Sequence, residues 1–195
     1  MTVGASIPDA PWPGLARAVE EDQDGVLAVL QIADELGLDS QELAWVIERE
    51  SRWLPDAINP HSRAAGLIQW MPATQRALGM PDPTTLSRAE QAPWVAKYLR
   101  GVGRPIPRGD LYLAVFFPRA VGAPGAHIIS APGSQVWRAN PGLREPGEGA
   151  ITAGSVRRAG TPPGARRAAR RPVAAAGGGL LWLAALYLIL RSCKL

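Results

Sequence analysis

The stretch A-W-V-I-E-R-E-S-R-W-L-P-D-A-I-N-P-H-S-R-A-A-G-L-I-Q-W-M-P-A-T, residues 44–74, decides the reading of this chain. Its first part reads as the end of a helix. Asp39 stands ahead of it as an N-cap, with Glu42 three positions on as the partner in a capping box. Leu43, Ala44, Val46 and Ile47 then fall on one face at helical spacing. Pro55 disfavours continuation, so the helix is expected to stop near Trp53, with Glu50 and Ser51 in its last turn. Glu48 lies two residues before Glu50 and so points about 200° around the helix from it. Both cannot face one cleft, and Glu48 reads as a solvated helix residue.

Working outward, residues 15–36 carry an apolar stripe of period near 3.6 (Val26, Leu27, Val29, Leu30, Ile32, Ala33 and Leu36), with Gly37 placed as a C-cap. Downstream, residues 54–65 are irregular and residues 67–78 read as a short apolar helix. Pro81 and Pro83 mark a loop, and residues 87–100 form a further helix with Ser87 and Glu90 as a second capping pair. A last apolar run covers residues 111–117. No segment sustains a period of two, so the expected fold class is all-α.

The 195 residues suffice for one domain with tails. The expected division is an N-terminal lead-in over 1–24, a domain over 25–125, and a Gly/Pro/Arg-rich extension and linker over 126–172. A transmembrane helix over 173–190 and a basic tail over 191–195 complete it. The lead-in lacks the basic and apolar regions of a secretory signal. The single cysteine, Cys193, excludes an intrachain disulfide. With only His61 and His127 and no zinc spacing, neither a metal nor a cofactor is expected.

Charge is divided along the chain. Residues 1–150 hold 13 Lys+Arg and 17 Asp+Glu, whereas residues 151–195 hold eight basic residues and no acidic one. Residues 152–172, with Arg157, Arg158, Arg166, Arg167, Arg170 and Arg171, offer little to bury and read as a disordered linker. The eighteen uncharged residues 173–190 span roughly 27 Å as a helix, with Trp182 and Tyr187 as interface anchors. Arginines beside an apolar segment point to anionic lipid as a partner. Nucleic acid is not expected, since no nucleic-acid fold or interleaved aromatic pattern accompanies the arginines.

Glu50-Ser51, Trp53, Pro55, Ala57, Gly66-Leu67-Ile68-Gln69 and Met71-Pro72-Ala73-Thr74 occur in that order. This pattern resembles the soluble-type lytic transglycosylases, relatives of goose-type lysozyme, with about one extra residue between the Glu and the Gly-Leu pair. The resemblance implies a lysozyme-like fold. It also implies an enzyme that cleaves the MurNAc-GlcNAc β-1,4 bond of peptidoglycan and leaves a 1,6-anhydro sugar. By the same resemblance Glu50 is the acid/base, Gln69 orients the sugar, Ser51 supports the Glu, and Asn59 (or its rival Ser62) touches substrate. A carboxyl at a helix end facing an apolar cleft has its neutral form favoured by desolvation, and Trp45, Trp53, Trp70 and Met71 are candidates for the wall. The family's late Ala-Tyr-Asn-Ala-Gly element is replaced by Leu113-Ala114-Val115-Phe116-Phe117-Pro118. Either Tyr112 supplies the missing hydroxyl from another register, or Glu50 is held by apolar packing that includes Phe116.

The divergent element resembles phage-encoded virion transglycosylases. Peptidoglycan lies outside the cytoplasmic membrane, and the positive-inside rule would keep the domain in the cytoplasm. The expected resolution is a membrane-anchored virion component acting at the host wall beside other virion proteins, with the bacterial envelope as the alternative location. The rival functions are a hydrolytic muramidase and a catalytically degenerate structural protein with a glycan-binding cleft.

Overall fold

The protein is described by a computed structural model, over residues 7–8 and 12–164. Helix α1 spans Pro13–Leu36 with Pro13 at its first position, where the missing N–H costs nothing. It is interrupted at Asp22, whose backbone is non-helical and whose carboxylate accepts the Gly25 N–H at 2.9 Å. Gly37 closes it at φ 65°, a left-handed conformation that glycine adopts without strain. Helix α2 spans Ser40–Ser51, and the Asp39 carboxylate accepts the N–H groups of Gln41 and Glu42. The expected capping box is not closed, because the Glu42 side chain is drawn to the start of a later helix.

The expected helix over 67–78 is shorter. Residues 65–70 make a tight turn in which Ala65 and Trp70 bridge, and Ala65 also bridges back to Ile58. Helix α3 begins only at Pro72 and spans Pro72–Leu78, again with proline at a first-turn position. Helix α4, Arg88–Arg100, starts with the complete Ser87–Glu90 capping box. Helix α5 is a short one, Leu111–Phe116.

The body is mostly helical, consistent with the all-α class, and carries one small pair of strands; one expectation for the C-terminal part is corrected. Strands β1, Ile128–Ser130, and β2, Ile151–Thr152, pair antiparallel, and between them lies helix α6, Gln135–Ala139. Strands of three and two residues are too short to print a period of two on the sequence. Residues 152–160, expected to belong to a disordered linker, instead form β2's last residue and helix α7, Ala153–Gly160, opened by a Thr152–Ser155 capping box. Its buried face is Ala153, Val156, Ala159 and Gly160. Small residues bury little area, but they let the helix lie close against α5.

Helix α1 packs on α2 and α4, and α5 sits between α2 and α7. Val29, Leu30, Leu43, Ile47, Leu67, Val95, Leu113 and Val156 meet in one fully buried core. At about 25 cal/mol per Å² of apolar surface removed from water, this core is the main stabilising contribution.

The transmembrane helix is withdrawn from the fold class. Among the described residues no helix is long and apolar enough to cross a membrane, and residues 173–190 lie outside the described residues. Two of the arginines assigned to lipid have protein partners instead, Arg157 with Asp110 and Arg158 with Glu145. The expectations of lipid and virion partners therefore have no support in the described structure.

Candidate active site

Glu50 occupies the last turn of α2, one residue before the end. Its side chain is partly open to solvent yet closely surrounded by protein atoms. Burial is the largest influence on its carboxyl and pushes the pKa up from the ordinary value. A hydrogen bond from the Tyr112 hydroxyl and the nearby Arg49 guanidinium work in the opposite direction, favouring the carboxylate. Among the described residues, Arg49 is the charged group that acts on Glu50. The carboxyl is thus biased toward its neutral form while keeping a donor ready for its ionised form.

Tyr112 lies on the first turn of α5 and is buried. Desolvation and the facing Glu50 carboxylate push its pKa far up, so the hydroxyl stays protonated. The Arg49 guanidinium stacks 5.6 Å from its ring centroid, and Phe116 packs at 6.3 Å on the same ring. Behind the ring, Gly160 of α7 comes so close that a Cβ there would stand 2.4 Å from the Tyr112 Cβ. Of the two arrangements left open by the sequence, Tyr112 is the residue whose hydroxyl acts on the Glu50 carboxyl. Phe116 buttresses the tyrosine.

Tyr98 on α4 completes the surroundings. Burial, and secondarily the Glu50 charge, push its pKa up to about 12. Its hydroxyl donates to the carbonyls of Ala114 and Val115 at 3.2 and 3.1 Å, fixing the far end of α5. Sequence reasoning missed this residue, although only three tyrosines occur in the chain and one lies in the apolar run near the end.

The two acidic neighbours of Glu50 in sequence are not partners for it. Glu48, expected to be solvated, accepts the N–H groups of Gly14 and Leu15 at 3.0 and 2.9 Å, satisfying donors in the first turn of α1. Asp56 is exposed on the following loop.

The remaining expected site residues divide. Ser51 is buried and its hydroxyl donates to the Ile47 carbonyl at 3.3 Å, one turn back in its own helix. Trp53 and Trp70 are fully buried core residues, and Trp45 stacks on Trp12 and donates to the Ala159 carbonyl. Those three tryptophans brace the core instead of lining a cleft, whereas Met71 is half exposed. Asn59 sits exposed in the loop, its carbonyl oxygen accepting the N–H groups of His61 and Ser62. Gln69 has a left-handed backbone, φ 52°, and its amide nitrogen donates to the carbonyls of Ala57 and Gly66 at 3.2 and 2.9 Å.

The loop between Glu50 and α3 is held by two α4 residues with no sequence signal of their own. Gln91 is fully buried. Its Oε1 accepts the Leu67 N–H at 2.9 Å, and its Nε2 donates to the carbonyls of Pro55, Pro83 and Leu86. Gly66, at φ 79°, passes so near that a Cβ would stand 2.8 Å from Gln91 Oε1. The Gly66-Leu67 pair is thereby explained: one residue supplies clearance, the next a donor. Arg88 donates to the Trp53 carbonyl at 3.0 Å and pairs with Glu21 of α1 at 2.7 Å. Two cavities, one beside Asp39, Glu42 and Arg108 and one beside Arg63, Gln75 and Asp82, are not lined by Glu50.

An acid at a helix end, a tyrosine hydroxyl on it and a Gly-Leu-Ile-Gln turn beyond it are found together. The family model of the transglycosylase SLT domain matches residues 28–98. Over residues 28–98 the chain is similar to a transglycosylase SLT domain. No curated protein matches the chain. The match supports a function of lytic transglycosylase type acting on peptidoglycan. The SLT match takes in Glu50, Gln69, Gln91 and Tyr98. Tyr112 and the helix behind it lie beyond the matched segment.

Proposed function

We propose that Glu50 is the acid/base of a peptidoglycan lytic transglycosylase that cleaves the MurNAc-GlcNAc β-1,4 bond and closes a 1,6-anhydro ring. The observation that supports this most is a desolvated carboxyl, its pKa raised by burial, with a tyrosine hydroxyl on it and no second carboxylate acting on it among the described residues. The neutral carboxyl of Glu50 gives its proton to the bridging oxygen as the bond from that oxygen to C1 breaks. The muramyl C6 hydroxyl then attacks C1, and the Glu50 carboxylate accepts the hydroxyl proton. Glu50 ends protonated, as it began, and no water is consumed. In the interval between the two steps Glu50 is an anion, and the Tyr112 hydroxyl hydrogen-bonds that form.

Gln69 has its amide nitrogen tied to two backbone carbonyls, which leaves Oε1 to accept from a sugar hydroxyl. Asn59 and Met71, exposed on the same loop, extend that surface. Ser51 and Trp70 act from within the core by keeping the end of α2 and the turn in place. A structural protein with a degenerate cleft is less well supported, because Tyr112 restores the hydroxyl that the Phe116-Phe117 element lacks.

The test is clearing of purified peptidoglycan by the full chain beside Glu50→Gln. Loss of the acid is expected to slow clearing by about 10²–10⁴-fold. A Glu50→Gln protein that clears the substrate as fast as wild type would overturn the proposal.

A further inference from the structure

Helix α5 has only six residues, too few to hold a conformation or a position by itself. Its N-cap, Asp110, does not cap it with its side chain. That carboxylate is engaged elsewhere, by the Gly122 N–H at 2.6 Å and by Arg157 of α7. The free donors at the start of α5 go instead to Glu42. Its Oε2 accepts the Gly109 N–H and its Oε1 the Leu111 N–H, both at 3.1 Å, and the side chain is buried. The next residue along is Tyr112.

Glu42 is a costly choice for this place. Burial pushes its pKa up, and the facing Asp39 and Asp110 carboxylates push the same way against the two backbone hydrogen bonds. Arg108, which lines the same cavity, pairs with Asp39 at 2.8 Å and is exposed. Glu42 and Glu50 are eight residues apart on α2, about 12 Å along one rigid helix. One helix therefore carries both the acid and the clamp that holds the helix bearing its hydroxyl partner.

We propose that Glu42 is a positioning residue for this site: by holding the start of α5 against α2, it sets the Tyr112 hydroxyl opposite Glu50. The proposal rests on the reading of Glu50 as the acid/base. Glu42 touches no substrate and acts only through Tyr112.

The sign of one measurable change separates positioning from simple charge removal. Deleting the negative charge of Glu42 would by itself lower the pKa of Glu50, and only slightly, since about 12 Å exceeds the screening length near physiological salt. Drift of Tyr112 away from Glu50 removes a bond to the ionised form and raises that pKa. The groups facing Glu50 are Tyr112, Arg49 and, through its charge, Tyr98. None of them is altered chemically by the substitution.

The experiment uses the full chain as wild type, Glu42→Gln, Glu42→Asp, Tyr112→Phe and the Glu42→Gln/Tyr112→Phe double variant. The Glu50 titration is followed by carboxyl ¹³C NMR, its signal assigned by its loss in Glu50→Gln, alongside kcat and KM on peptidoglycan. Glu42→Gln should raise the Glu50 titration by about half to one pH unit and lower kcat about tenfold, with KM within about twofold. The double variant should equal Tyr112→Phe alone, since the clamp then has nothing left to position. Glu42→Asp, one methylene too short to hold both N–H groups, should shift the titration upward to a smaller degree. It decides the matter if Glu42→Gln does not fold. A Glu50 titration that stays put or falls in a folded Glu42 variant, or effects that add in the double variant, overturns the proposal. The NMR titration does not depend on turnover, so failure of the function reading, a wild-type protein inactive on peptidoglycan, is told apart from failure of the Glu42 clamp, a Glu50 titration that does not rise.

Discussion

Replacing Gln91 by methionine isolates the contribution of one side chain to the loop between α2 and α3. Methionine matches its length and suits a buried site, so the change deletes hydrogen bonds with little change of volume. Four backbone groups lose this side chain, the Leu67 N–H and the carbonyls of Pro55, Pro83 and Leu86, but the Pro83 carbonyl still accepts the Leu86 N–H, so three are left bare. Leaving a buried polar group unpaired costs about 1–3 kcal/mol. The carbonyls have a second lone pair and some room to relax, so the low end applies, giving about 3 kcal/mol for the three. In a domain of this size that corresponds to a fall in melting temperature of about 6–12 °C. Urea unfolding of the full chain, with an unchanged slope, measures it. KM should also rise, because the turn that carries Gln69 is pinned through Leu67. A loss below about 1 kcal/mol with KM unchanged would refute the reasoning that Gln91 organises this loop.

Gly160→Ala is expected to destabilise by about 1–3 kcal/mol and to lower kcat, since the new methyl would stand 2.4 Å from the Tyr112 Cβ. On an open helix the same change would stabilise by about 0.5–1 kcal/mol, so a thermal melt decides by its sign. Arg157→Ala leaves the Asp110 carboxylate, 3% exposed, with little beyond the Gly122 N–H. A loss of about 2–3 kcal/mol is expected in urea unfolding, toward the low end for a broken buried pair because the arginine itself is partly exposed. Glu50→Gln should be more stable than wild type at neutral pH. The raised pKa of Glu50 means that its favourable contribution is complete below the unfolded-state pKa and is lost as pH rises through the folded-state value. The gap between the two proteins should therefore vanish below about pH 4 and open above it, as thermal melts across pH will show.

The helices were legible where their signals are local. The Asp39 and Ser87 caps, the Gly37 stop and the apolar stripe of α1 are written within a few residues of where they act. Glu50 and the Gly-Leu-Ile-Gln turn were legible because several residue types recur in order. What stayed hidden depends on pairs far apart in the chain. Glu48 looks solvated until the start of α1 is brought onto it from 34 residues away. Glu42 looks like a local cap until the start of α5 arrives, 69 residues on. Gln91 has four backbone partners and nothing in its neighbourhood to announce them. Helix α7 was missed because apolar content is a poor guide where a helix is held by close approach: Gly160 against Tyr112, Gly154 against Gly125, and one buried ion pair. Trp53 and Trp70 erred the other way. Large aromatics beside the Glu50 motif read as a cleft wall, yet they are the largest fully buried side chains of the core.

The most direct test of the central claim is the mass of the products released from purified peptidoglycan in H₂¹⁸O by the full chain and by Glu50→Gln. The account predicts muropeptides ending in 1,6-anhydro-MurNAc, one water lighter than hydrolytic products and free of ¹⁸O, from wild type alone. Reducing ends that carry ¹⁸O, or the same anhydro products from Glu50→Gln, would contradict it.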